Sequence, residues 1–428
     1  MKFTLRQIRR TLIFVSFLLL AGGIGYYFGQ KNLRFEKTTS FPSIQLSIDR
    51  KQPANKQNVD FSLFWQVWDK IESDYLRRKD LDPQKMVYGA ISGMVSSLDD
   101  PYTVFLPPTD NKETKDDLRG DFEGVGIQIG YSKDQKLAII APLSGTPAEK
   151  AGLKAGDLIT RIVDEKQKID KDTIGLALPE AVRLIRGPKG SSVKLTIARE
   201  GQKDSWTVSL KRETIVVKSV EVKFIEKNGK IVAVLKLSRF GERTYQEWEE
   251  AVGSIKDKEL KNKNFGGVVF DLRNNPGGFL QGSVFIASEF LSSGIVVQQD
   301  KGADGKETFS VNRGGSLLKE PLVVLVNNGS ASASEIVAGA LQETKRAKLV
   351  GEKTFGKGTI QEAQDLSEGA GIHITIARWL LPSGKSIDKE GVKPDIEDKA
   401  NNVAQPTGQP DQTQYPQLDK AIQLLLEK

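Results

Sequence analysis

The sequence predicts a multidomain α/β protein: an N-terminal membrane helix, a helical segment, a β-rich module and an α/β core. Three observations predict it. Residues 11–28 are eighteen positions without a charge, set behind a basic flank. Residues 118–212 alternate short apolar strands with glycine turns, and residues 216–398 alternate strands with helices. Length agrees, since at ~150 residues per domain the chain has room for about three.

Composition removes several chemistries. The chain has no cysteine, which excludes disulfides, thiolate metal sites and a cysteine nucleophile. It has one histidine, His373, so an H-E-x-x-H metalloprotease is excluded and a Ser-His-Asp triad would have to use that residue. His373 sits in an alternating apolar run and reads as a packing residue. The net charge of +7 on 428 residues is mild and forms no basic stripe, so no nucleic-acid partner is implied. A hydrolase with this composition needs a Lys, Asp or Glu as its base. No metal and no cofactor is called for.

Taken in order, residues 1–10 are a basic segment (Lys2, Arg6, Arg9, Arg10) that should stay cytoplasmic. Residues 11–29 are apolar enough to cross a bilayer as an uncleaved signal anchor. A cleaved signal peptide is the alternative. The rest of the chain is then extracytoplasmic, periplasmic or extracellular. Residues 30–58 are a polar linker. In the helical segment, 59–112, Phe61, Phe64, Trp65, Trp68 and Ile71 recur at spacings of three and four. Asp82-Pro83 starts a second helix there.

The module, 113–215, begins with GDFEGVGIQIGY, a glycine turn feeding a strand. Strands at 137–143 and 193–198 and a helix at 179–185 follow. Gly124-Val125-Gly126-Ile127, Pro147-Ala148, Ala151-Gly152-Leu153, Gly156-Asp157 and Leu184-Ile185-Arg186-Gly187 together resemble a PDZ domain. That resemblance implies a β-sandwich-like fold that adds a peptide C-terminus as an extra strand, with its carboxylate at the 124–127 loop. A dinucleotide fingerprint does not fit, because the glycine spacing is wrong.

The core, 216–398, holds three motifs. NNGSASASEIVAGALQ puts Ser332 where a strand passes into a helix. Its neighbouring N–H groups are free of helical partners there and can hold an oxyanion. Ser332-x-x-Glu335 also fits a capping box, which needs no chemistry, and the flanking Ser330 and Ser334 break the G-x-S-x-G rule. GEKTFGKGTIQ (351–361) comes close to a P-loop, but position 358 is Gly and the following chain reads as strand. Its Lys357 would become a usable base if buried. DLRNNPGGFL (271–280) is a tight turn with exposed N–H groups. The strand–helix alternation implies a parallel sheet flanked by helices.

The three motifs in this order, behind a PDZ-like module, resemble the carboxyl-terminal processing (tail-specific) serine peptidases over roughly residues 60–400. The resemblance implies a ClpP/crotonase-like core with a Ser-Lys site. It assigns Ser332 as nucleophile, Lys357 as base and Gln361 as the residue that orients the lysine. It assigns Ala333 and Gly277 to the oxyanion hole, with Gly278 as the alternative donor. It further implies acyl-enzyme hydrolysis of exported or membrane proteins near apolar C-termini, gated by the module. Arg186 is the contact we expect between module and core. The other reading of the same chain is an idle PDZ scaffold or chaperone that binds peptide tails without cutting them. Residues 399–428 form a polar linker and an amphipathic C-terminal helix, and the terminal helices imply a homo-oligomer.

Overall fold

A computed structural model describes residues 59–132, 134–143, 145–399 and 416–427. The expected basic segment, membrane helix and linker, and most of the C-terminal linker, lie outside the described residues. Among the described residues no helix is long and apolar enough to cross a membrane.

The chain divides into two compact units, Met1–Pro83 and Gln84–Lys428. In the first, α1 (Ser62–Asp74) carries the aromatic stripe that the spacing predicts. Phe64 and Trp65 meet edge to face with ring centroids 4.9 Å apart, and the Trp68 indole N–H donates to Glu72 at 2.8 Å. Trp68 is buried, whereas Val67, Ile71 and Tyr75 are exposed.

The second unit opens within α2 (Pro83–Ser96), and β1 (Val104–Leu106) and α3 (Pro108–Arg119) follow; both helices begin on proline. Then β2 (Asp121–Gly124) leads into the PDZ-like module. Its strands are β3 (Ile127–Tyr131), β4 (Leu137–Pro142), β5 (Leu158–Asp164), β6 (Ile169–Asp172), β7 (Ser192–Ala198) and β8 (Trp206–Lys211). The helices α4 (Pro147–Lys150) and α5 (Leu178–Ile185) interrupt them. One six-stranded sheet, ordered β3-β4-β5-β7-β8 with β6 on β5, closes over a core of Leu137, Ile139, Ile162, Val193, Leu195 and Ile197. The chain leaves through β9 (Glu213–Val216), which pairs antiparallel with β2, so entry and exit share one ribbon.

The α/β core follows as β10 (Val220–Lys227), β11 (Lys230–Leu237), α6 (Thr244–Lys261), β12 (Phe265–Asp271), α7 (Leu280–Phe290), β13 (Ile295–Asp300), β14 (Lys306–Ser310) and β15 (Leu322–Val326). After these come α8 (Ala333–Glu343), β16 (Lys348–Gly351), β17 (Thr359–Asp365), β18 (Gly371–Leu380), β19 (Ile396–Glu397) and α9 (Pro416–Leu426). The central sheet runs β10-β11-β12-β15-β16-β19 and is parallel from β11 onward. Side chains alternate across it. Val268, Phe270 and Val324 join the buried cluster that holds Trp248 of α6, Phe290 of α7 and Val337 of α8. Val269, Val323 and Leu325 face Leu418, Ile422 and Leu425 of α9 instead.

The expected parallel sheet is present, but it does not hold every strand of the core. A second sheet, β1-β18-β13-β14 with β17 on β18, is antiparallel throughout. The reason is connection length. β17 and β18 are joined by a short turn, which only antiparallel neighbours can use, while parallel neighbours need a crossover.

Candidate active site

The serine lies at a strained corner between β15 and α8. Ser332 is the residue before the helix and has φ 54° and ψ −117°, a region that non-glycine residues avoid. The corner survives without flanking glycines because its serines are buried and bonded. The Ser330 hydroxyl donates to the Leu272 carbonyl at 2.8 Å and the Ser334 hydroxyl to the Asn275 carbonyl at 2.9 Å. The S-A-S-A-S run therefore stitches this corner onto the N-N-P-G-G turn.

That turn brings Gly277 against the serine. A methyl group at Gly277 (φ 101°) would sit 2.8 Å from Ser332 Cβ and 3.0 Å from the Ala333 nitrogen, so only glycine fits. One detail departs from expectation. The Gly277 N–H donates to Asn275 Oδ1 at 2.9 Å, inside its own turn. Among the described residues, the N–H groups of Ala333 and Gly278 make no hydrogen bond. The open donors are thus Ala333 and the alternative, Gly278.

The lysine segment is held beside the serine by one carboxylate. Glu335 is fully buried on α8. Its Oε2 accepts from the N–H of Ser332 at 2.8 Å and of Lys357 at 3.0 Å. Its Oε1 accepts from the Gly356 N–H at 2.7 Å and the Thr354 hydroxyl at 2.5 Å. The capping box is therefore present on the Glu335 side, and the same group ties the two segments together. Burial pushes the Glu335 carboxyl up, while the hydrogen bonds from Thr354, Gly356, Ser332 and Lys357 oppose that. Gly356 and Gly358 bracket the lysine because the chain at 388–391 passes too close for any side chain. The Lys357 carbonyl accepts from the buried Trp379 indole at 2.7 Å.

The Lys357 side chain is half-buried, and its amine lies 5.1 Å from the centre of the Tyr102 ring. Burial pushes this amine below its ordinary pKa, and the carboxylates of Asp100 and Glu335 offset part of that. Among the described residues, no hydrogen bond links the amine to the Ser332 hydroxyl. Gln361 on β17 donates to Thr359 Oγ1 at 2.8 Å and to Thr375 Oγ1 at 3.1 Å, leaving its carbonyl oxygen without a partner among the described residues. His373 lies on β18 opposite Val104 and Ala363. Burial, with Lys357 near, holds it below its usual pKa.

The remaining expected residues belong to the module. Gly124, Val125, Gly126 and Ile127 span the β2–β3 junction. Gly126 (φ 76°) must be glycine because Thr146 packs against it, and the Val125 and Gly126 N–H groups bond nothing among the described residues. Arg186 stacks on the Phe122 ring at 4.3 Å and faces Asp117 of α3 at 3.8 Å, with no bond to Ser332 or Lys357. Sequence reasoning missed Tyr102 and Asp100 at the base and the bridging role of Glu335. A Glu three residues beyond the serine was visible only as a cap.

Against known proteins, the chain matches the family model "Peptidase family S41" over residues 231–398, "PDZ domain" over 114–198 and "Activating protease CtpB N-terminal domain" over 19–112. It is 36% identical over 359 residues to carboxy-terminal processing protease CtpA of Bacillus subtilis, covering 84% of this chain and 73% of that one. To CtpB of the same organism it is 36% identical over 383 residues, covering 88% and 75%. To the carboxyl-terminal-processing protease of Synechocystis it is 38% identical over 343 residues, covering 80% and 77%. A Bacteroides fragilis structure named for the S41 family shares the fold, with TM-score 0.55, 18% identity and coverage of 84% and 96%. The chain belongs to peptidase family S41, as a serine-type protease of the carboxyl-terminal processing kind.

Proposed function

We propose that Ser332 and Lys357 form the catalytic pair of a membrane-anchored endopeptidase that cuts exported or membrane proteins near accessible, apolar C-termini. The observation that supports this most is the shared acceptor. One buried Glu335 oxygen takes the N–H groups of both residues, next to an amine whose pKa is lowered by burial.

In this reading the neutral Lys357 amine removes the Ser332 hydroxyl proton as Oγ attacks the scissile carbonyl carbon. The Ala333 N–H and one N–H of the N-P-G-G turn hold the oxyanion. Gly278 is free to serve, and Gly277 can serve once released from Asn275. The tetrahedral adduct collapses, the C–N bond breaks, and the lysinium gives its proton to the leaving amine. Lys357 then takes a proton from water, whose oxygen attacks the acyl-serine, and returns that proton to Ser332. The unpartnered Gln361 oxygen accepts from the amine and orients it. Substrate entry at the module, through the 124–127 loop, shifts the population toward the aligned pair. Arg186 takes part through Asp117 and α3. Residues 11–29 anchor the chain, with the catalytic portion outside the cytoplasm, in a homo-oligomer.

The test is incubation of the soluble portion with an unfolded protein carrying an apolar tail, with products read by mass spectrometry. Wild type should cleave, and Ser332→Ala and Lys357→Ala should each lose at least about 10³-fold in rate. Cleavage persisting in either variant overturns the pair. A wild type that binds the tail and never cleaves favours the scaffold reading.

A further inference from the structure

The loop before β1, Asp99-Asp100-Pro101-Tyr102-Thr103, comes from the helical segment, far in sequence from the serine and lysine motifs. Nothing in those motifs calls for it. Yet β1 pairs with β18 in a register that sets Val104 opposite His373, which delivers the loop to the lysine. The loop is internally fixed. Asp100 accepts from the Tyr102 N–H at 3.0 Å and from the Thr103 hydroxyl at 2.6 Å, and the Thr103 hydroxyl oxygen accepts the Thr375 N–H at 3.0 Å.

Two things follow from where it lies. The Tyr102 ring stands 5.1 Å from the Lys357 amine, within the range over which an aromatic face attracts a cation. Second, the loop reaches Gln361 through two threonines: the Thr103 hydroxyl, which donates to Asp100, accepts the Thr375 N–H, and the Thr375 hydroxyl accepts from the Gln361 amide nitrogen at 3.1 Å. Burial would raise the Asp100 carboxyl, but the hydrogen bonds from Thr103, Thr375 and the loop backbone hold it below its usual range, so it is ionised and can only accept. Thr103 must then donate to Asp100 and accept from the Thr375 N–H, and the hydroxyl of Thr375 accepts from Gln361. Gln361 in turn presents its nitrogen to Thr359 and Thr375 and its oxygen elsewhere.

We propose that this loop positions the general base: Tyr102 seats the Lys357 amine on its ring, and Asp100, through Thr103 and Thr375, fixes the Gln361 amide with its oxygen toward that amine. The proposal rests on the Ser332–Lys357 reading above. Asp100 and Tyr102 act through Lys357 and Gln361 and are positioning residues.

Its signature is a pH profile. The groups facing Lys357 are Asp100 and Tyr102 on this loop, Glu335 on α8 and His373 on β18. Asp388 faces Tyr102 and the Gly358 N–H. Catalysis needs neutral Lys357, and the Asp100 charge favours the protonated form. Removing that charge lowers the lysine pKa further and moves the acid limb of kcat/KM to lower pH.

The experiment measures kcat and KM of the full chain on a tailed unfolded substrate from acid to alkaline pH, with thermal melts on every variant. Tyr102→Phe keeps the ring and should stay within about threefold of wild type, whereas Tyr102→Leu should lose about 30-fold or more in kcat with KM nearly unchanged. Asp100→Asn should lower the rate ceiling and shift the acid limb down by about half a pH unit or more. An unshifted acid limb in folded Asp100→Asn, or a full kcat in Tyr102→Leu, overturns the proposal. If Asp100→Asn does not fold, the Tyr102 pair decides alone. Ser332→Ala and Lys357→Ala run alongside. Activity in either sinks the underlying pair, whereas their inactivity beside unaffected loop variants sinks this inference only.

Discussion

At position 335 one carboxylate, closed to solvent, meets four donors: three backbone N–H groups and a hydroxyl. An ionised acid matches all four, because it has about four lone-pair sites and no hydrogen of its own, although burial raises its pKa. A glutamine would keep the shape but turn its NH2 toward at least one of the N–H groups, whichever way it flips. Glu335→Gln should therefore cost about 1–3 kcal/mol of stability from the orphaned donor. It should also loosen the register of Ser332 against Lys357, so kcat should fall by more than about tenfold with KM nearly constant. Melting and steady-state kinetics on one preparation read both. Unchanged kcat in a destabilised protein would leave Glu335 as a cap alone. At this scale the sequence was legible up to the point where contacts become long-range. Ser332-x-x-Glu335 is local and shows as a capping box. The Gly356 and Lys357 donors lie 21 and 22 residues further on and have no local signature. Tyr102 and Asp100 were invisible for the same reason, since only the pairing of β1 with β18 brings them to the lysine.

Among the elements, period and turn chemistry foretold most of the module and the central sheet. Strand β12 is buried almost throughout because both its faces are covered, by α6 to α8 on one side and α9 on the other. The β10–β11 hairpin turns on Asn228-Gly229, both at positive φ, as such a dipeptide should. Sheet membership was not foretold, because alternation of strand and helix says nothing of which strands depart to a second sheet. The function of the glycine in L-I-R-G also needed the fold. A methyl at Gly187 would lie 2.9 Å from the Arg212 guanidinium carbon. That guanidinium is fully buried, pairs with buried Asp164 at 2.7 Å, and donates to the Ile185 and Leu184 carbonyls at the end of α5. It thus fastens the module's helix to the last residue before β9. Arg212→Ala strands the Asp164 charge and frees the helix end, and should destabilise the module by about 3–5 kcal/mol. Chemical denaturation followed by Trp206 fluorescence would show the loss. A transition at the wild-type midpoint would mean that the pair is dispensable.

The molecule as a whole hangs its module on the β2–β9 ribbon, and this geometry permits a clean excision. Gly124 and Glu213 are cross-strand partners at the module end of that ribbon. Residues 125–212 can accordingly be replaced by Asn-Gly, a two-residue turn that suits an antiparallel pair. The buried clusters of module and core are separate, and the core has its own helices on one face and α9 on the other. The excised chain should therefore fold, with one unfolding transition where the full chain has two if module and core unfold independently. Its catalytic behaviour separates two views of the module. If the module gates the Ser332–Lys357 pair, excision should abolish the preference for a tailed over an untailed unfolded substrate, bringing the ratio of kcat/KM values to within about twofold of one. The Arg186–Asp117 contact disappears in the same deletion, so Arg186→Ala in the full chain should weaken that preference in the same direction and by less. A ratio that survives excision would place tail recognition in the core, and the module would then be a tether for something other than the substrate's end.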